Sequence, residues 1–168
     1  MPFEGRIQIR PMKAEDYDEV HGLWLTISGF GIRSIDDSRE DVVRFIRRNP
    51  TTSVVAVDLD SESSLSAAGP GSGMIVGSIL CGNDGRQGAL YHVCVATSHR
   101  RLGIGRQMVG YCMNRLREEG INKVALVAFS KNDVGNAFWK GIGWKRRADF
   151  NYYEFALNEK NITRFVEG

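Results

Sequence analysis

Three arginines and two glycines stand close together in the middle of the chain, in a pattern that suits anion binding. Arg100 and Arg101 precede Gly103 and Gly105, and Arg106 follows at once. Glycine lets backbone N–H groups approach an anion closely and adopt positive φ. A helix that begins near Gly105 would add unpaired N–H donors and a partial positive charge. The segment therefore predicts a pyrophosphate-binding loop.

The spacing of the glycines excludes two other nucleotide-binding motifs. A P-loop needs Lys followed by Ser or Thr after its second glycine, and neither pair follows Gly105. A dinucleotide fingerprint, G-x-G-x-x-G, fails because Met108 stands where the third glycine should be. The alternative is a glycine-containing turn that binds no ligand and whose arginines are solvated.

Hydrophobic periodicity predicts the elements that would position this loop. Strands are predicted at 6–10, 53–57, 74–80, 89–95, 124–129, 144–148 and 152–157. Helices are predicted at 17–27, from Ser38 as N-cap to Asn49, from about 104 to Gly120, and at 133–142. This order predicts an α/β fold with a mixed, mostly antiparallel twisted sheet flanked by helices, in a single domain over residues 1–168.

Composition narrows the class of protein. A chain of 168 residues with 42% hydrophobic and 25% charged residues is typical of a globular domain. A net charge of +2 argues against nucleic acid as a partner. No run approaches the ~18 apolar residues of a membrane span, and Met1–Arg6 lacks the apolar run of a signal peptide. The three cysteines form no C-x-x-C pair, so we expect a cytoplasmic protein without a metal site.

Two motifs carry a resemblance to a known family. Arg100-x-x-Gly103-x-Gly105 resembles the Q/R-x-x-G-x-G/A signature of the GCN5-related N-acetyltransferase (GNAT) superfamily. The stretch from Asn132 to Trp144 is similar to the family's N-x-x-A-x-x-[FL]-Y-x-x-x-G-F element. The predicted element order matches over nearly the whole chain, as in small bacterial single-domain members. The resemblance implies an acyl-CoA N-acyltransferase fold with acetyl-CoA as co-substrate.

The resemblance also implies which residues bind the cofactor. The strand before the loop would pair with the pantetheine arm, the loop would bind the pyrophosphate through its N–H groups, and the last helix would line the channel. The residues at these positions are Val93, Cys94, Val95, Arg100, Arg101, Leu102, Gly103, Ile104, Gly105, Arg106, Asn132, Phe138 and Trp139.

The general base is less clearly indicated than the cofactor site. Relatives keep a glutamate where this chain has Val127 or Ala89. His92 is the remaining titratable side chain on the strand before the loop, and alternation places it with Cys94 on one face, opposite Tyr91. An imidazole titrates in the range that suits a general base. Our hypothesis is therefore that His92 is the base, with the turn residue Asp84 as the weaker alternative.

The usual general acid of the family is absent. Trp139 stands at the position of the family's tyrosine, and an indole N–H is no useful acid. Tyr153, or else Tyr152, on the predicted C-terminal strands is our candidate for the acid. Asn151-Tyr152-Tyr153 is also similar to the N-Y-Y stretch of ribosomal-protein N-terminal acetyltransferases, a resemblance that implies that these tyrosines face a peptide substrate. Water could also protonate the leaving thiolate.

The resemblance implies transfer of an acetyl group from acetyl-CoA to a primary amine by direct attack. A small molecule, a peptide N-terminus and a lysine are all open as acceptors, and a homodimer is left open as the assembly. The alternative is a non-catalytic acyl-CoA-binding module, which the missing acid and carboxylates would suit. A nucleic-acid-binding domain that uses the arginines is a weaker third hypothesis.

Overall fold

The computed structural model describes residues 5–168, so Met1–Glu4, which carry most of the segment considered for a signal peptide, lie outside it. The strands in the described range are β1 (Ile7–Pro11), β2 (Gly31–Arg33), β3 (Val54–Asp58), β4 (Met74–Asn83), β5 (Gly88–Val95), β6 (Val124–Ala125) and β7 (Thr163–Phe165). The helices are α1 (Tyr17–Trp24), α2 (Arg39–Arg48), α3 (Ile104–Glu118) and α4 (Asp133–Gly141). None of these helices is long and apolar enough to cross a membrane.

Five strands form the central sheet, in the order β1-β3-β4-β5-β6. All neighbours in it pair antiparallel except β5 and β6, which run parallel. A separate antiparallel pair joins β2 to β7. The predicted mixed, mostly antiparallel sheet flanked by helices is confirmed.

Helices cover both faces of the sheet, because its strands alternate apolar side chains to either side. On one face α1 and α2 pack through Val20, Trp24, Val42 and Ile46. The side chains of α3 that cover the other face are those whose spacing of four predicted this helix: Ile104, Met108, Cys112 and Leu116. Two hydrophobic clusters therefore hold the sheet between them.

Local signals set the ends of the middle helices. The Ser38 hydroxyl accepts a hydrogen bond from the N–H of Asp41 at 3.3 Å, as an N-cap does. Asn49 ends α2. Gly120 follows α3 with a φ of 79°, a left-handed conformation that favours glycine. All three ends agree with the predictions.

The C-terminal part differs from the prediction. No strand forms at 144–148 or 152–157, and the predicted strand at 124–129 is regular only over Val124–Ala125. The backbone of residues 145–157 makes no hydrogen bond to the rest of the described chain. A strand requires hydrogen-bond partners for its backbone groups. The prediction of two final strands is therefore wrong.

Two short strands had no sequence signal. Gly31–Arg33 pairs with Thr163–Phe165, which brings the C-terminal segment back across the molecule to the loop before α2. Each strand has only three residues, too few for a pattern of alternation. Their pairing depends on contacts between residues that are more than 120 positions apart in the chain.

The contact between β4 and α2 gives a first testable prediction. A Cβ at Gly82 would lie 2.6 Å from Asn49 Nδ2 and 2.7 Å from Phe45 Cζ. Asn49 cannot move freely, because its Oδ1 accepts from the N–H of Asn83 at 2.9 Å. We expect Gly82→Ala to lower the free energy of unfolding by about 1–3 kcal/mol in urea denaturation.

Gly110 provides the matched control. It lies inside α3, and a Cβ there would meet no atom within 4 Å. Gly110→Ala should therefore raise the free energy of unfolding by about 0.5–1 kcal/mol, because alanine loses less conformational freedom in a helix. Equal stability of the Gly82→Ala variant and the wild type would contradict the close packing of α2 on β4.

Candidate functional site

The edge of β5 opens next to the predicted loop. β5 pairs with β6 only over its first two residues, Gly88 and Ala89. Beyond them no strand among the described residues pairs with this edge. The N–H and C=O groups of β5 that point away from β4 are therefore available to a ligand amide, apart from the C=O of Val95, which accepts from Arg100 Nε. This stretch contains Val93, Cys94 and Val95, the predicted contacts of the pantetheine arm.

The loop between β5 and α3 presents a run of free donors. The backbone N–H groups from Arg100 to Arg106 donate to no acceptor within residues 5–168. The next N–H, that of Gln107, donates to the C=O of Gly103 at 3.1 Å and starts the helical ladder. Gly103 is the N-cap of α3, so the last of these donors lie at the positive end of the helix dipole. The arrangement fits a pyrophosphate.

Two left-handed residues give the loop its shape. Arg101 has a φ of 65° and Gly103 a φ of 78°. A Cβ at Gly103 would meet no atom within 4 Å, so glycine is needed there for its conformation and not for space. Between and after them, Leu102 and Ile104 turn inward, and Ile104 is only 2% exposed. These two side chains anchor the loop, and their backbones face outward.

The three arginines have different surroundings. Arg100 Nε donates to the C=O of Val95 at 3.2 Å, so this side chain folds back on the end of β5. Arg101 and Arg106 are exposed and form no ion pair with any described residue. The positive charge available to an anion therefore comes from Arg101 and Arg106, and Arg100 braces the loop.

A buried histidine fixes the start of the loop. His99 Nε2 lies 3.0 Å from Asp58 Oδ2, and its Nδ1 lies 2.8 Å from Ser98 Oγ. Burial alone would raise the pKa of Asp58, but hydrogen bonds from His99, Ser61 and the N–H of Asp60 outweigh it and lower that pKa. His99 is itself only 8% exposed.

The first turn of α4 and the start of α3 meet at the predicted cofactor channel. Asn132 Oδ1 accepts from the N–H of Gly135 at 3.0 Å and caps α4, which leaves its Nδ2 without a partner among the described residues. Phe138 packs on Gly105, where an added Cβ would lie 3.3 Å from Phe138 Cζ. Trp139 is half-buried and contacts Phe138 edge-on at 5.0 Å. Phe138 and Trp139 therefore lie on the side of α4 that packs against α3.

A β-bulge distorts β5 at His92. Two residues of β5, His92 and Val93, stand opposite Ile79 alone in β4. His92 has a φ of 49°, a left-handed conformation that is strained in a residue other than glycine. The bulge also changes the predicted alternation, because Tyr91, in contact with Phe45 of α2 at 6.0 Å, now shares a face with His92.

His92 forms a close pair with Asp37, which sequence reasoning did not select. His92 Nε2 lies 2.7 Å from Asp37 Oδ1, and the two side chains are 18% and 5% exposed. An ionised carboxylate only accepts hydrogen bonds, so Nε2 is the donor in this contact, and in the neutral ring Nδ1 then keeps its lone pair. Nδ1 has no hydrogen-bond partner within residues 5–168. Trp24 and Phe30 enclose the ring at 4.6 and 5.3 Å.

The loop that carries Asp37 is fixed from both sides. Asp37 Oδ2 accepts from the N–H of Arg33 at 2.7 Å, and Tyr17 donates its hydroxyl hydrogen to the C=O of Asp37 at 2.7 Å. Asn161 Oδ1 accepts from the N–H groups of Ile35 and Asp36 at 3.0 and 3.1 Å. The C-terminal segment therefore holds the partner of His92 in place.

Cys94 lies beside this pair but is not set up as a nucleophile. Its Sγ lies 3.6 Å from Ser78 Oγ, which accepts a hydrogen bond from Trp24 Nε1 at 3.1 Å. Burial raises the pKa of the Cys94 thiol to about 11. The thiolate is the reactive form of cysteine, so a covalent acetyl-cysteine step is disfavoured here.

The remaining candidates lie apart from His92. Tyr153 is 87% exposed and makes no hydrogen bond to a described residue, and Tyr152 contacts Glu154 alone. Asp84 accepts from the N–H groups of Arg86 and Gln87 in the turn between β4 and β5. The structure does not bring these side chains to the His92–Asp37 pair. Among residues 5–168, no three His, Cys, Asp or Glu side chains gather as a metal site would require.

Comparison with known proteins agrees with this geometry. The family model described as "Acetyltransferase (GNAT) family" matches residues 28–144. The chain is 28% identical over 128 residues to Acetyltransferase SG1711 of Sodalis glossinidius (strain morsitans), which covers 76% of this chain and 80% of that protein.

Solved structures share the fold. The NatC complex bound to Gag peptide and CoA matches with a TM-score of 0.65 at 17% identity, covering 84% of this chain and 86% of the other. Aminoglycoside N-acetyltransferase AAC(6')-Iy in complex with CoA matches with a TM-score of 0.64 at 13% identity, covering 92% and 98%. The predicted resemblance is confirmed, and acetyl-CoA is the co-substrate. The chain belongs to the GNAT family of acetyltransferases.

Proposed function

We propose that this acetyltransferase moves the acetyl group to a primary amine by direct attack, and that His92 is the general base. The observation that carries the proposal is the 2.7 Å contact between His92 Nε2 and Asp37 Oδ1, beside the open edge of β5. An amine near neutral pH is mostly protonated and must lose a proton before it can attack. A histidine with a free Nδ1 is suited to take that proton.

Asp37 acts through His92 and not on the substrate. Its carboxylate fixes the tautomer in which Nδ1 is the acceptor, and it stabilises the imidazolium that forms when the proton arrives. Trp24 and Phe30 restrict the ring from its sides. The base is therefore held in one orientation before the acceptor binds.

The cofactor would be held by the loop and by the edge of β5. The free N–H groups from Arg100 to Arg106, with the charges of Arg101 and Arg106, suit its pyrophosphate. The open backbone of β5 over Val93–Val95 suits the amides of the pantetheine arm, and Asn132 Nδ2 can donate to the same arm.

The protons and bonds of this reaction balance without a metal or a redox partner. Bound acetyl-CoA supplies the thioester carbonyl on which the new C–N bond forms and from which the C–S bond breaks. His92 takes the proton that the ammonium loses before the attack and passes it to solvent. The nitrogen loses a second proton as the amide forms, and that proton reaches the leaving thiolate directly or through water, so that CoA leaves as a thiol. Tyr153 stays a prediction for the acid. Its side chain is 87% exposed in this structure.

The ligands and substrates of the neighbouring structures guide the choice of acceptors. One neighbour is bound to a peptide and CoA, and another is an aminoglycoside N-acetyltransferase. A panel of peptides, aminoglycosides and lysine derivatives, assayed by release of free CoA thiol from acetyl-CoA, tests the proposal. Amine-dependent thiol release supports it. Acetyl-CoA binding with no turnover on any amine, or turnover only on alcohols, would overturn it.

The His92–Asp37 pair gives a prediction about pH. We expect His92→Gln to lower kcat by about 100-fold, the scale of general-base catalysis, and to remove the acid limb of the pH–rate profile. Asp37→Asn should lower kcat by about 10-fold, because the imidazole loses the partner that orients it. Steady-state kinetics from pH 5 to 9 measures both.

Two variants control for general damage to this region. His21→Gln changes a histidine of α1 that stacks on Tyr17 but lies outside the pair. Tyr17→Phe removes the hydrogen bond to the C=O of Asp37 and leaves its carboxylate in place. Both should keep the acid limb where the wild type has it. A His92→Gln variant whose pH profile matches the wild type would exclude His92 as the base.

The loop gives a prediction about cofactor affinity. We expect Gly103→Val to weaken CoA binding by at least about 10-fold in calorimetry, because a β-branched residue disfavours the left-handed φ that aims the N–H donors. Gly105→Val should act similarly by displacing Phe138. Gly110→Ala, on the same helix, should bind CoA as the wild type does. Unchanged affinity in folded Gly103→Val would refute the pyrophosphate assignment.

Direct attack gives a prediction for Cys94. Because burial raises the pKa of its thiol to about 11, we expect the thiol to take no covalent part in transfer. Cys94→Ala should keep kcat within about 3-fold of the wild type and lose only about 1 kcal/mol of stability. Loss of activity in a folded Cys94→Ala protein, or an acetylated Cys94 trapped in mass spectrometry, would instead favour a covalent route.

A further inference from the structure

Three phenylalanines lead from the base toward the turn before α4. Phe30 lies against the His92 ring, with the ring centroids 5.3 Å apart. Phe165 of β7 packs on the residue after Phe30, because a Cβ at Gly31 would lie 3.2 Å from Phe165 Cε1. Phe129 in turn contacts Phe165, with the ring centroids 5.9 Å apart. We call Phe30, Phe129 and Phe165 the aromatic wall.

Backbone hydrogen bonds fix both ends of the aromatic wall. The C=O of Phe30 accepts from the N–H of Val166 at 2.8 Å, which holds β7 beside β2. The C=O of Phe129 accepts from the N–H of Asn132 and from Asn136 Nδ2, both at 3.0 Å. Asn132 is the predicted contact of the cofactor arm. Direct attack requires the amine to lie between the base and the thioester, and the aromatic wall connects these two places.

Two members of the aromatic wall present their rings to solvent. Phe129 is 61% exposed and Phe165 is 59% exposed, whereas Phe30 is half-buried. A phenylalanine ring has no polar atom to hydrate, so adjoining exposed rings gain free energy when an apolar ligand covers them. An acceptor whose nitrogen reaches His92 Nδ1 has these rings beside its carbon skeleton. The aromatic wall therefore favours an apolar or aromatic skeleton.

The carboxylates on the base side of the aromatic wall are already engaged. Every aspartate and glutamate of α1 and of the loop from 25 to 38 has a partner. The partners are Arg39 for Asp18, the N–H of Ile75 for Glu19, Arg33 for Asp36 and His92 for Asp37. A second ammonium group on the acceptor would find no free carboxylate there. Because an unpaired cation loses hydration when it is covered, such an acceptor is disfavoured.

The charges at the other end of the aromatic wall do not attract a polycation either. The ranges 126–133 and 160–168 contain three cations and two carboxylates, none of which forms an ion pair with a described residue. They are Lys131, Lys160, Arg164, Asp133 and Glu167. A cation–π contact with an exposed phenylalanine is too weak to replace the hydration of an ammonium group. The local charge therefore selects against acceptors with several ammonium groups.

We propose that the acceptor is a primary amine on an apolar or aromatic skeleton with no second ammonium group, and that Phe129 and Phe165 determine this specificity. The inference rests on the proposed function, because it takes His92 Nδ1 as the atom that the amine approaches. The transfer itself is unchanged: the C–N bond forms at the thioester carbonyl and the C–S bond breaks. What the aromatic wall adds is the choice among amines, through the skeleton that it covers.

The first experiment compares two matched pairs of amines in the assay for free CoA thiol. Heptylamine and hexane-1,6-diamine have the same length and differ in a terminal methyl against a terminal ammonium group. 2-Phenylethylamine and ethylamine differ in the ring alone. We expect kcat/KM to be at least about 10-fold higher for heptylamine than for the diamine, and at least about 10-fold higher for 2-phenylethylamine than for ethylamine, because only the apolar skeletons cover the rings.

Variants of the aromatic wall separate specificity from catalysis. Phe129→Glu and Phe165→Glu place a free carboxylate beside the skeleton, so the preference for heptylamine over the diamine should fall at least about 10-fold. Both side chains are exposed, and the variants should keep the fold by circular dichroism. They should leave kcat/KM for ethylamine within about 2-fold of the wild type, whereas His92→Gln lowers it for every amine. Phe150→Glu, at a ring that is 65% exposed and contacts Arg147, is the matched control and should keep the wild-type preference.

Calorimetry with the same four amines and the protein saturated with CoA measures acceptor binding without turnover. Tighter binding of heptylamine than of the diamine, with the difference lost in Phe129→Glu, supports the proposal. Equal kcat/KM for the two amines, a preference for the diamine, or a preference that both glutamate variants leave unchanged would overturn it and leave acetyl transfer to amines intact. No turnover on any amine, together with binding that depends on the aromatic wall, would overturn the proposed function and still support the ligand class.

Discussion

The contact between His92 and Asp37 is the interaction on which the geometry of the site depends. It joins the bulge of β5 to the loop before α2, two regions separated by 55 residues. That loop is itself fixed by Asn161 and by the pairing of β2 with β7. The orientation of the base thus depends on the C-terminal segment, which acts through the loop that carries Asp37.

The free energy of the strained backbone and that of the hydrogen bond to Asp37 together explain why the bulge at His92 is stable. A histidine held at positive φ costs about 1–3 kcal/mol. A hydrogen bond to a charged group contributes about 1.5–3 kcal/mol, so the bond to Asp37 offsets the strain, and the packing of Trp24 and Phe30 adds to it. The strained backbone and the buried carboxylate are consequently coupled: neither would be stable there without the other.

Features encoded by neighbouring residues could be predicted, and features that join distant residues could not. Gly103 and Gly105 indicate the donor loop because their conformational freedom is a local property, and Ser38 indicates its helix start for the same reason. Asp37 carries no such signal. An aspartate before an N-cap is ordinary turn chemistry, and only the folded chain brings it to His92. The bulge was missed because alternation assumes a regular strand, and two residues of β5 opposite one of β4 break that assumption.

The error at 144–157 has a different cause. The apolar alternation from Tyr152 to Leu157 is real, and it correctly identifies a segment that gains free energy when its side chains and backbone groups are covered. Periodicity measures this tendency and contains no information about which surface satisfies it. No described strand pairs with residues 145–157, so their side chains stay exposed, as does the outward face of Val127 and Phe129. A segment can therefore have the alternation of a strand and still lack the backbone partner that a strand requires.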